Sequence, residues 1–171
     1  MKNIIISFFL SIFYVGIQAQ EISGSVTLNG KTKAELSLES NSAVQLFKEF
    51  KEGKYKLGFE FEAFGLPQNI YGEKIVFFNF RTIVKKDGKV IKETIREAPL
   101  PYFPGDMFLA AESFDFIPVL ASIDQMAGSE EGYGTMPEGN YQIQLIAKPV
   151  GFKGTINPLN IYFVLRRRPT R

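Results

Sequence analysis

The chemistry open to this chain is restricted by the side chains that it lacks. Its 171 residues include no His and no Cys. An imidazole base, a thiolate nucleophile and the usual nitrogen and sulfur ligands of zinc are therefore missing. Carboxylate chemistry, a Ser–Lys pair and oxygen-ligated calcium remain open. We expect a protein with no catalytic residue, no cofactor and no bound metal.

Two carboxylates share one face of a predicted strand. Glu60 and Glu62 are separated by one residue within 54–63, and side chains two apart in a strand point the same way. Paired carboxylates hydrolyse glycosidic bonds in many glycosidases. A small hydrolase of polysaccharide or peptidoglycan is therefore one alternative, although the neighbouring lysines are typical of a solvated strand face.

Further acidic residues could serve as oxygen ligands for calcium. They are Asp115, Asp124, Glu130 and Glu131. Their spacing matches no known calcium-binding loop. We expect solvated loops at these positions.

A proline-rich segment, 99–106, is the strongest candidate for a binding surface. It places two aromatic residues side by side, and rigid aromatic side chains give contact area at low entropic cost. A second candidate is the loop 128–139. The predicted contact residues are Tyr102, Phe103, Asp106 and Tyr133. The alternative for 99–106 is a crossover between two sheets whose aromatic rings cover the end of the core.

The chain contains 17 Phe and no Trp. Most of these Phe fall in phase on strand faces that must be buried, which predicts an aromatic core. An apolar groove for a lipid or peptide is the functional alternative, and it would make the chain a carrier. Phe64, Phe103 and Phe152 lie near Gly or Pro in expected loops, and we predict that they are exposed contacts.

The first 19 residues have the layout of a cleavable export signal. Lys2 precedes an apolar run at 4–17, and the small residue Ala19 follows. The run is shorter than the about 20 apolar residues that a membrane anchor needs. We predict cleavage after Ala19 and one exported domain at 20–171, periplasmic or secreted.

The charges indicate which partners to expect. The chain has 20 Lys plus Arg against 18 Asp plus Glu, interspersed along its length, which argues against a nucleic-acid partner. Four arginines form a basic tail at 166–171, which we interpret as a frayed solubilising terminus. Contact with an anionic lipid or glycan is the alternative.

The rest of the sequence predicts an all-β protein. Apolar and polar residues alternate between short clusters of Gly, Pro, Asn and Asp. The predicted strands are 22–28, 31–38, 54–63, 75–86, 89–95, 107–117, 141–148 and 159–165. Asn29-Gly30 and Asp87-Gly88 predict tight hairpins.

Three segments carry further predictions. The apolar start of 75–80 predicts a central strand covered on both faces. Prolines in 99–106 forbid regular pairing there. Residues 42–52 predict a short helix with Asn41 or Ser42 as N-cap and Gly53 as its end, a strand being the alternative.

Residues 136–141, Met-Pro-Glu-Gly-Asn-Tyr, followed by an alternating strand, resemble the start of the penultimate strand in immunoglobulin-like and fibronectin type III-like β-sandwiches. The resemblance implies a single antiparallel β-sandwich of about seven to nine strands. It also implies that Tyr141, after the turn at Gly139, packs in a corner and donates its hydroxyl to main chain. The C-terminal part of the chain, from this turn to the last strand, is also faintly similar to the C-terminal sorting domains of bacterial type IX secretion substrates.

Together these patterns predict a non-catalytic interaction module of the bacterial envelope or exterior. It would bind a protein or a surface polymer through 99–106 and 128–139. The carboxylate-dependent hydrolase and the carrier of an apolar ligand remain as alternatives.

Overall fold

The computed structural model describes residues 21–38, 42–123 and 135–166. The predicted leader, Asp124, Glu130, Glu131, Tyr133 and the tail beyond Arg166 lie outside the described residues. The strands are β1 (Glu21–Leu28), β2 (Lys33–Glu35), β3 (Leu57–Phe64), β4 (Val76–Lys86), β5 (Lys89–Ile95), β6 (Leu100–Tyr102), β7 (Gly105–Leu109), β8 (Gly139–Pro149), β9 (Lys153–Asn157) and β10 (Leu159–Leu165). The helices are α1 (Ala43–Lys51), a 3-10 helix (Ala111–Phe114) and α2 (Phe116–Ala121).

The strands form two sheets, which confirms the prediction of an all-β protein with a short helix. One sheet has the order β7-β3-β1-β9; the other has the order β2-β10-β8-β4-β5, with β6 also paired to β4. Most pairs are antiparallel, but β1–β9 and β10–β2 are parallel, so both sheets are mixed. The ten strands of the described ranges exceed the seven to nine predicted, because short edge strands give no alternating pattern.

The inward faces of the sheets share one core that is rich in Phe. On β3, Leu57, Phe59 and Phe61 are buried while Glu60 and Glu62 are exposed, as the alternation predicts. The ring of Phe59 lies at the centre, 5.0 Å from the Phe78 ring centroid. Burial of each such ring stabilises the fold by about 1.5–3 kcal/mol.

Helix α1 forms where the sequence predicts it. The Ser42 hydroxyl accepts a hydrogen bond from the Gln45 N–H at 3.3 Å and caps the first turn. Gly53, at φ +77°, allows the chain to turn after the helix. The buried stripe starts at Ala43, and Val44 is exposed.

The first predicted hairpin is wrong beyond its turn. Asn29 and Gly30 adopt φ +49° and +78° and bring Leu28 opposite Lys31. The chain then leaves β1, and β2 pairs in parallel with β10 of the other sheet. The Asn29-Gly30 turn forms as predicted, but the strand beside β2 is distant in sequence.

The second hairpin is confirmed. Asp87 and Gly88 adopt φ +49° and +79° between β4 and β5. The Asp87 carboxylate accepts hydrogen bonds from the Asn140 backbone N–H at 2.9 Å and from its side-chain amide at 3.1 Å. This contact joins the hairpin to the start of β8.

The proline-rich segment contradicts the prediction that it cannot pair. Its first part, β6, pairs with β4, and its second part, β7, pairs with β3 of the other sheet. Both are short edge strands, and Pro101 in β6 is tolerated because one side of an edge strand needs no donor.

Two further predictions on this side of the molecule are wrong. The predicted strand 107–117 ends at Leu109, and the 3-10 helix and α2 follow. Residues 76–80 do lie in an interior strand, β4, but Phe77 is 49% exposed, so the outer face is not covered.

Three of the connections that pass between the sheets, β3–β4, β6–β7 and β8–β9, lie at one end of the molecule. The register fixes this, because Glu21 pairs with Phe64 and Lys153, and Phe78 pairs with Pro149. We call this the crossing end. The opposite, or far, end carries the Asp87-Gly88 turn and Gly139.

Candidate functional site

Large apolar side chains are exposed mainly at the crossing end. Eleven of them are exposed in the described ranges, and six belong to this end. We call these six the apolar patch: Phe64, Ile70, Tyr71, Phe77, Phe103 and Val150. Exposed apolar groups gathered at one end of a molecule are candidates for an interaction site.

The most exposed members lie on the loop 65–75 between β3 and β4. Leu66 is buried and anchors the loop to the core. The Asn69 side-chain oxygen accepts hydrogen bonds from the backbone N–H groups of Tyr71 and Glu73, both at 2.9 Å. The Asn69 N–H donates to the Glu73 carbonyl at 2.8 Å, and the Gly72 N–H donates to the Asn69 carbonyl at 3.0 Å. These bonds close 69–73 into a defined turn.

The turn places Ile70 and Tyr71 in solvent. Their exposed fractions are 91% and 78%. Turn tips are usually polar, since Gly, Asn, Asp and Ser satisfy the backbone there. An Ile and a Tyr at this position gain nothing from folding, whereas burial against a partner would stabilise a complex.

The three Phe that the sequence predicts to be exposed, Phe64, Phe103 and Phe152, all lie at the crossing end. Phe64 and Phe103 are 59% and 53% exposed. Phe152, on the β8–β9 connection, is instead half-buried against the core. Segments that are distant in sequence therefore reach the same end of the molecule.

The other predicted contact residues are placed differently. The Tyr102 ring lies 5.6 Å from the Phe59 ring centroid and 5.8 Å from that of Phe80, so it packs at the edge of the core. Asp106 is exposed on the outer face of the four-stranded sheet, opposite Glu60 in the register. Tyr133 lies outside the described residues.

Gly139 and Tyr141 lie at the far end. The Tyr141 ring is buried, and its hydroxyl donates to the Pro137 carbonyl at 2.7 Å. Gly139 and Pro149 are the two ends of the eleven-residue strand β8 and are roughly 33 Å apart along it. The described part of the second predicted loop, 135–139, therefore lies far from 99–106, and residues 128–134 lie outside the described residues.

Of the carboxylates singled out in the sequence, Glu60 and Glu62 lie on exposed surface, Asp115 is half-buried, and Asp124, Glu130 and Glu131 lie outside the described residues. Glu60 accepts a hydrogen bond from the Ser25 hydroxyl at 2.9 Å, and Glu62 is exposed on the same face. Asp115 pairs with Arg96 at 3.5 Å. Within the described ranges, no group of three or more acidic residues is arranged to hold a metal ion.

Sequence reasoning missed Ile70 and Tyr71. The available signal was an apolar pair enclosed by turn-forming residues, Asn69 before it and Gly72 after it. Such a short segment shows no periodic alternation of apolar and polar residues, so the pattern that identifies strands does not identify this pair.

Over the described part of the chain, no helix is long and apolar enough to cross a membrane. Comparison of the chain with protein-family models, curated proteins and solved structures gave no match.

Proposed function

We propose that this chain is an exported, non-catalytic binding module that attaches to a protein or a surface polymer through the apolar patch. The observation that carries the proposal is the closed turn 69–73, which holds Ile70 and Tyr71 almost fully in solvent. The predicted leader supports export, and the proposal assigns no catalytic residue.

Rigidity is what makes this turn suited to binding. A loop that is already ordered loses little conformational freedom when a partner docks, so more of the contact energy remains as affinity. Burying an Ile or a Tyr side chain contributes about 1.5–3 kcal/mol. Two such residues at the centre of an interface are enough to form a hot spot.

The fold is consistent with this use. Loops at one end of a rigid sandwich are a common place for binding residues. We propose that the fold is immunoglobulin-like or fibronectin type III-like, supported by the corner bond of Tyr141 to Pro137. The parallel edge pairs β1–β9 and β10–β2 are additions to that plan.

The test begins with a photo-crosslinking residue at position 71 or, as a control, at position 90. Val90 is 57% exposed at the far end. In the native host, we expect a partner of the patch to be crosslinked from position 71 and not from position 90. Equal capture from both positions, or capture from neither, would contradict the proposal.

The second step measures affinity for the captured partner. We expect the double variant Ile70→Ser/Tyr71→Ser to bind roughly a hundredfold more weakly, about 2.8 kcal/mol. The matched control is Val90→Ser/Val164→Ser, which removes two exposed apolar side chains outside the patch and should bind as the wild type does. Unchanged affinity in the patch variant would refute the assignment.

A further inference from the structure

A second surface lies away from the apolar patch, where α1 meets the ends of β3 and β7. It is a groove with a volume of about 410 Å³. We call it the aromatic groove. Its lining includes Phe47, Phe50, Lys51, Tyr55, Lys56 and Phe108. Small-molecule sites have volumes of about 300–1,000 Å³, so the groove has the size of a ligand site.

The floor of the groove is fixed by the core. The Phe50 ring lies 5.3 Å from the Tyr55 ring centroid and 5.1 Å from that of Phe116 on α2. Leu57 and Leu109 are buried and paired across β3 and β7. A rigid apolar floor of this kind favours an aliphatic or aromatic group over a polar one.

One wall is unusually exposed. Phe108 is 78% exposed, and the residue opposite it in the register is Gly58, which has no side chain to cover the ring. A ligand lying in the groove would remove apolar surface of Phe108 from water, which is favourable.

The lysines of this region divide into two sets. Outside the groove, Lys48 pairs with Glu52 at 3.7 Å, and Lys54 pairs with the buried Glu49 at 2.9 Å. The hydrogen bond to Glu49 raises the pKa of Lys54 above its usual value.

The two lysines that line the groove, Lys51 and Lys56, have no carboxylate within 4.0 Å among the described residues. The Lys51 ammonium instead lies 5.0 Å from the Phe47 ring centroid. The apolar floor is therefore bordered by two cations without counter-ions. Glu112, on the segment after β7, is the one acidic residue of the lining.

We propose that the aromatic groove binds a single-chain amphiphile, with its apolar tail over Phe50 and Phe108 and a carboxylate head at Lys51 and Lys56. The two ammonium groups supply the charge that such a head requires. The proposal is independent of the apolar patch, which lies on other elements.

The experiment titrates the full mature chain with monomeric dodecanoate and, separately, with dodecanol, and follows binding by calorimetry and by NMR shifts. We expect saturable binding of dodecanoate, with shifts at Phe47, Phe108 and Tyr55, and weaker binding of dodecanol. No saturable binding, or shifts confined to other regions, would overturn the proposal. Equal affinity for the two probes would overturn the carboxylate assignment.

Variants separate the head contact from the tail contact. Lys51→Met/Lys56→Met should weaken dodecanoate binding roughly tenfold and leave dodecanol binding unchanged. The control Lys48→Met, on the same helix outside the groove, should bind dodecanoate as the wild type does. Phe108→Ser should weaken the binding of both probes, and because Phe108 is highly exposed we expect this variant to keep its fold. Equal binding by the wild type and these three variants would refute the site. Ile70→Ser/Tyr71→Ser leaves this binding intact, so the two proposals fail separately.

Discussion

Replacing Tyr141 by Phe removes a single oxygen atom from a buried ring. The Tyr141 hydroxyl donates to the Pro137 carbonyl at 2.7 Å, and the ring stacks on Phe163 at a centroid distance of 5.0 Å and an interplanar angle of 6°. Phe retains the stacked ring and loses the bond. The substitution therefore isolates the contribution of the hydroxyl to the free energy of unfolding.

The expected loss follows from that geometry. A typical net hydrogen bond contributes about 0.5–1.5 kcal/mol, and leaving a buried acceptor unpaired costs about 1–3 kcal/mol. Pro137 is only partly buried, so water can reach its carbonyl in part. We expect Tyr141→Phe to destabilise the protein by about 1 kcal/mol, which lowers Tm by about 2–4 °C for a chain of this size.

Urea unfolding followed by circular dichroism gives the measurement, with a constant m-value as the check that only stability changed. The matched control is Tyr71→Phe, since Tyr71 is 78% exposed; its effect should stay within about 0.5 kcal/mol. Tyr141→Ala should be worse than Tyr141→Phe by several kcal/mol, because the ring and its packing are lost as well. If the two Tyr→Phe variants were equally stable, the corner bond would contribute nothing and the reasoning would be refuted.

Two more predictions concern the backbone and pH. The Asn140 backbone N–H, aided by its side-chain amide and by Lys86, holds the pKa of Asp87 below the ordinary 3.8. A depressed folded pKa contributes stability that is complete above the unfolded pKa and is lost as pH falls through the folded value. The gap in urea midpoint between wild type and Asp87→Asn should therefore shrink from about pH 6 to about pH 2; a constant gap would contradict this. Gly24→Ala places a Cβ against the Glu60 carbonyl oxygen and 2.7 Å from the Phe61 Cα. Since β1 is paired on both sides, we expect Gly24→Ala to lower the free energy of unfolding by about 1–3 kcal/mol. The control Ser23→Ala, at an exposed position, should lower it hardly at all. Equal urea midpoints for the two variants would show that the sheet has room for the methyl group.

Much of the fold could be predicted because it is encoded locally. The in-phase residues Leu57, Phe59 and Phe61 predicted the buried face of β3. Asp87-Gly88 predicted the hairpin between β4 and β5. Helix α1 was predicted from its cap at Ser42 and its end at Gly53. In each case the signal and the structure that it specifies lie within a few residues of one another.

The candidate site could be predicted only in part. Phe64 and Phe103 were identified from their Gly and Pro neighbours, and both are exposed at the crossing end. Tyr102, next to Phe103 in the chain, packs toward Phe59 instead. No local rule separates two adjacent aromatic residues whose directions depend on which sheet each one approaches.

By itself, the sequence determined which side chains share a strand face, where the chain turns tightly and which catalytic groups cannot be present, since these follow from residue type and short-range spacing. The tertiary structure alone decided that β2 joins β10, that the proline-rich segment becomes two edge strands, and that 64, 70, 71, 77, 103 and 150 share one end. The physical reason is that a strand edge can satisfy its hydrogen bonds with many partners. Competition among segments distant in sequence selects the partner that also completes the core.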